Sequence, residues 1–144
     1  MQPIRVDFYL MTSDNAKARW LLACRLLEKA YARQHNVFVY CNNKQDAELI
    51  DELLWTFKDD SFIPHHLQGE GLKPPPPIQI GYGDEPKGYH DILLNLADEI
   101  PAFYLRFSRI MEVVLNNEQA KELSRVHYRL YRSKQYDLHT HTIA

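Results

Sequence analysis

No stretch of this sequence is apolar enough for a membrane span. A spanning helix needs about 18 or more consecutive apolar residues, and no window comes near that. A membrane is therefore not expected among its partners. The first residues, MQPIRVDFYLM, lack the basic start and long apolar run of a secretory leader. Cysteine is scarce: there are two, Cys24 and Cys41, in neither a CxxC nor a metal-ligand spacing. Two thiols make no disulfide framework, which fits a reducing, cytoplasmic setting. Strong net charge is missing too, since 17 Lys and Arg against 19 Asp and Glu leave −2. Bulk electrostatics then favours neither nucleic acid nor membrane, and any charge effect must come from local patches. The sequence has no Walker motif, no GxGxxG, no GxSxG and no HExxH. GYGD (81–84) is not followed by a helical pattern, so it makes a poor phosphate cradle. No cofactor is expected.

The 144 residues are 45% hydrophobic and 25% charged, the balance of one globular domain over 1–144. RVDFYLM (5–11) is rich in strand formers, and TSDN (12–15) offers a helix N-cap. A long helix is predicted from there to near Asn36, then a strand at 36–41 (NVFVYC). A second helix follows, capped by Asn43 with Asp46 in its first turn. SFIPH (61–65) reads as short and extended, because Ile63 precedes a proline. GEGLKPPPP (69–77) reads as a stiff polyproline II loop. Further strands are predicted at 78–82, 91–96 and 109–115, with a short helix after Pro101. A last helix is predicted over 116–134, and QYDLHTHTIA reads as a tail. Strand and helix alternating at the front argue for right-handed crossovers and a largely parallel sheet.

Among candidate sites, the seven histidines invite a metal reading and, with Asp51, Glu52, Asp59 or Asp60, a metal-assisted hydrolase. Against it, His65 and His66 are adjacent and point to opposite faces of an extended chain, and His139 and His141 fall in the tail. The acid pairs Asp51/Glu52 and Asp59/Asp60 read more readily as solvated faces than as catalytic dyads. On the second helix, Ala47, Ile50, Leu54 and Phe57 fall within about 80° of each other and form the core face. Trp55 lies roughly 120° from its centre. It either lies flat over neighbouring loops or waits for a partner.

The last helix is electrically polarised. Residues 119–134 carry five Lys or Arg and one acid, a net of +4; residues 44–60 carry six acids and two Lys, a net of −4. On a helical wheel Lys121, Arg125, Tyr128, Arg129 and Arg132 share one arc, interrupted only by Glu118 and Glu122 at its start. Val126, Leu130, Leu123, His127, Ala120 and Tyr131 occupy the opposite arc and read as the core face. The cationic arc is either a solvated face or an anion site. Its spacing suits a short acidic peptide better than duplex DNA, where many phosphate contacts carry affinity.

The strings FYL (8–10), LLW (53–55), SFIPHHLQGEG (61–71), HDILLNL (90–96), EVV (112–114) and YRLYR (128–132) together resemble the chi subunit family of bacterial DNA polymerase III, over almost the whole chain. The resemblance implies a non-enzymatic, three-layer, Rossmann-like α/β fold, its largely parallel or mixed sheet of about five to seven strands flanked by helices. It implies a psi subunit as partner, the acidic C-terminal tail of single-stranded-DNA-binding protein (SSB) as ligand, and contact with DNA only indirectly. A helicase of the iron–sulfur type is an additional implied partner. Carried over to this chain, the tail site is Trp55, Lys121, Arg125, Tyr128 and Arg129, with an apolar contribution from Val114 or Leu115. Arg129 stands where the family usually has Lys. Phe62 matches the position that packs against psi and that the helicase competes for.

Overall fold

The computed structural model describes residues 3–70 and 75–143. Seven strands, β1 (Arg5–Met11), β2 (Val37–Tyr40), β3 (His65–Leu67), β4 (Ile78–Gly81), β5 (Ile92–Asn95), β6 (Arg109–Val114) and β7 (Asp137–Ile143), form one sheet in the order β3-β4-β2-β5-β6-β1-β7. Every neighbouring pair is parallel. Parallel strands need crossovers, and buried parallel sheets read as near-continuous apolar runs. ILLN of β5 and IQIG of β4 are fully buried in this way.

Alternation along the strands divides the core in two. Tyr9, Val39, Ile80, Leu94 and Met111 face helices α1 (Ala16–Ala32) and α2 (Lys44–Thr56). Val6, Phe8, Phe38, Leu93 and Ile110 face the other way, toward α3 (Glu118–Ser133) and the loops around a 3₁₀ turn at Tyr104–Arg106. This makes three layers. Each helix starts on an asparagine whose side chain accepts from an early backbone N–H: Asn15 from Lys17, Asn43 from Asp46, Asn117 from Ala120. Helix α1 stops at Ala32, short of Asn36, because Gln34 turns to a positive φ of 64°. Ala47, Ile50 and Leu54 are buried as the wheel predicts, while Phe57 is the half-buried C-cap. Part of the polyproline II reading, residues 71–74, lies outside the described residues.

The reading of 135–144 as a tail is corrected. Residues 137–143 are the edge strand β7, paired with all of β1 from Arg5↔Asp137 to Met11↔Ile143. Its polar composition hid it: Thr140 and Thr142 stay exposed, and His141 is held by a buried acid. That acid is Asp7 on β1. His141 Nε2 lies 2.7 Å from Asp7 Oδ1, and Arg109 Nε donates to Oδ2 at 2.8 Å. Arg5 bridges both oxygens, and the His141 ring stacks on Tyr9. Burial alone would raise the Asp7 pKa, but hydrogen bonds from Arg5, His141 and Arg109 outweigh it and hold it below its ordinary value of 3.8. A lowered carboxyl pKa stabilises above the unfolded value and is lost as pH falls through the folded one. Asp7→Asn should therefore cost about 2 kcal/mol at neutral pH. Denaturant titrations should show the difference from wild type shrinking below about pH 4. A constant difference down to pH 2 would refute this role.

Candidate functional site

Helix α3 lies on the sheet with His127 and Tyr131 inward, both buried, beside half-buried Ala120, Leu123 and Ser124. The sequence places Val126 and Leu130 in the core arc; the structure leaves them 51% and 37% exposed. The reason is Glu112, a buried carboxylate in the middle of β6. His127 Nδ1 donates to Glu112 Oε1 at 2.7 Å, and the Tyr131 hydroxyl donates to Oε2 at 2.6 Å. A buried carboxylate without donors costs more than two half-exposed aliphatic side chains. The helix therefore turns its polar pair to the sheet.

That rotation tips the cationic arc toward the sheet's edge. A slot of about 540 Å³ opens between α3 and the ends of β1, β6 and β7. Its floor is apolar: Phe8, Leu10, Val114 and Leu115, closed at one side by Thr140. Its wall is Lys121, Ser124, Arg125, Tyr128 and Arg129 from α3. The Tyr128 ring packs on Phe8 with centroids 5.5 Å apart and remains 37% exposed. Both Val114 and Leu115 line the slot. Phe8 and Leu10 were legible only as core strand, and Thr140 was hidden in the presumed tail. Arg125 and Arg129 both reach Glu122, at 3.0 and 3.8 Å.

The slot gathers four of the five residues proposed for the acidic tail. The fifth, Trp55, is not among them. It stands at the end of α2, which covers the other face of the sheet at the β3 edge, away from β1 and β7. There its ring lies 5.7 Å from Phe62 and 4.4 Å from His65. Phe62 is 66% and Trp55 49% exposed, so the two make a second, aromatic surface.

The histidines do not assemble. His65 and His66 lie on β3 at one edge of the sheet, His139 and His141 on β7 at the other. His65 is engaged at both nitrogens by the carbonyls of Ile63 and Asp51, and His66 Nε2 meets the Gln79 amide at 2.9 Å. Among the described residues, no three His, Cys, Asp or Glu converge as metal ligands. Asp59 and Asp60 are exposed. Cys24 and Cys41 are buried, and burial pushes both thiols up to about 12, so they stay protonated. No described helix is long and apolar enough to cross a membrane.

The model of the DNA polymerase III chi subunit (HolC) family matches residues 4–139. The chain belongs to this family. It is 36% identical over 139 residues to DNA polymerase III subunit chi of Pseudomonas aeruginosa, covering 96% of each chain. It is 31% identical over 138 residues to that of Haemophilus influenzae, with 95% and 96% coverage. To that of Escherichia coli it is 29% identical over 140 residues, with 94% and 95% coverage. As a chi-family member it is a replication accessory subunit. What this chi fold offers chemically is two separate surfaces: a cationic slot with an apolar floor on one face, and an aromatic patch at the opposite edge.

Proposed function

We propose that this chi-family protein is a non-catalytic connector within DNA polymerase III. The slot takes the acidic C-terminal tail of SSB, and the Trp55–Phe62 surface takes a psi-type subunit that leads to the clamp loader. The observation that supports the first contact is the pairing of three cations with an apolar floor in one slot. Lys121 and Arg125 hold the terminal carboxylate and nearby acids; Arg129 attracts the upstream aspartates. An aromatic last residue lies on Phe8 and against Tyr128. Burying such a ring contributes roughly 1.5–3 kcal/mol, and each charge-assisted hydrogen bond about as much before screening. Trp55, by its position, serves the second surface, where an iron–sulfur helicase would compete with psi for Phe62. The protein then touches DNA only through its partners.

The test is a calorimetric titration with a peptide of several Asp ending in a free C-terminal Phe. Saturable one-to-one binding is expected at low salt, weakening as salt rises, because exposed charges are screened beyond about 10 Å at 0.1 M. Removing the Phe should weaken binding by about tenfold or more. Phe62→Ala should leave the affinity within about twofold, since its surface is remote. No saturable binding by the wild-type protein, at any salt, sinks the reading.

A further inference from the structure

In the free protein, the arginines that would receive the acidic ligand are already occupied. Glu122 lies three residues before Arg125 and seven before Arg129, spacings that put all three on one side of α3. Its Oε2 is 3.0 Å from Arg125 Nη1 and its Oε1 is 3.8 Å from Arg129 Nη2. One carboxylate thus spans two of the three cations on the slot wall. Lys121, the third, makes no ion pair among the described residues. Glu118, the other acid at the start of α3, reaches neither arginine.

We infer that Glu122 is a built-in competitor at the slot that holds affinity for acidic segments down. This rests on the acidic-tail reading above. A docking carboxylate must take Arg125 and Arg129 from Glu122, so part of its ion pairing replaces an existing contact. Glu122 then remains beside the ligand as a like charge. All three side chains are more than half exposed, so exchange is easy and the contact sets affinity without blocking the slot. A ligand with several acids keeps a net gain through Lys121.

The experiment compares wild type, Glu122→Gln and Glu118→Gln, which change net charge equally. Two peptides are used: one with several Asp and a C-terminal Phe, and the same peptide with every Asp replaced by Asn. Glu122→Gln should bind the acidic peptide about two- to tenfold tighter at low salt, with the gain shrinking as salt rises. The gain should be smaller for the Asn peptide, which feels less of the residual repulsion. Glu118→Gln should stay within about twofold of wild type. Wild-type binding with an unchanged Kd in Glu122→Gln overturns the competitor role alone. An equal gain in Glu118→Gln does the same, because bulk charge then explains it. Absence of binding in all three proteins overturns the acidic-tail reading and the competitor with it.

Discussion

Arg125→Ala is expected to weaken binding of the acidic, Phe-ended peptide by at least about tenfold at low salt, the loss of one well-formed charge-assisted contact. Arg125 sits midway along the slot wall, between Lys121 and Arg129 one turn away on either side, and it is exposed. Its removal disturbs little of the fold, because its recorded partner is the exposed Glu122. Unfolding should therefore shift by less than about 0.5 kcal/mol while affinity falls, and this separates a binding role from a structural one. The slope of log affinity against log salt should also become shallower, since the acidic ligand meets one positive charge fewer. Tyr128→Ala is the apolar counterpart: it removes the ring packed at a tilt on Phe8 but no charge, so affinity should fall with the salt slope unchanged. Equal affinity of Arg125→Ala and wild type would remove the cationic wall from the function.

Legibility differed by element. The TSDN and Asn43 caps and the apolar runs of β1, β2, β4, β5 and β6 are local signals, and the structure keeps them within a few residues. The strand β7 was not legible, because its pairing with β1 is anchored by Asp7, more than a hundred residues away in the chain. Helix α3 was legible as a helix and as a polarised one. Its rotation was not, because a wheel weighs Val126 and Leu130 as core and has no means to include the Glu112 carboxylate across the layer. The slot wall could be read from helical spacing alone. Its floor could not, since Phe8 and Thr140 join it only through sheet order. Trp55 was correctly placed off the core face. Its neighbours Phe62 and His65 could not be inferred from one helix.

Glu112→Ala should lower the unfolding free energy by about 3–5 kcal/mol, the cost of stripping one partner from a buried charged pair. His127 Nδ1 donates to Glu112, and its Nε2 donates to the Asp98 carbonyl at 2.8 Å. Two acceptors require both nitrogens to carry protons, so the ring is an imidazolium. Burial alone would lower the His127 pKa; the hydrogen bond and charge of Glu112, with the Asp98 carbonyl, outweigh it and raise it above 6.5. The sign follows from linkage: stabilisation is full below about pH 6.5 and is lost as pH rises through the folded value. Wild type should thus lose stability on going from pH 6 to pH 9 in urea titrations, and Glu112→Ala should show a flatter profile. His127→Gln should share the flat profile but cost less, because an amide still donates to Glu112. The same pair fixes the rotation of α3 that tips Lys121, Arg125 and Tyr128 over the slot. A Glu112→Ala protein that remains folded should therefore also bind the acidic peptide more weakly, although Glu112 touches no part of the slot. Unchanged stability and an unchanged pH profile in Glu112→Ala would show that apolar packing alone holds α3, and the account of the slot's geometry would fall with it.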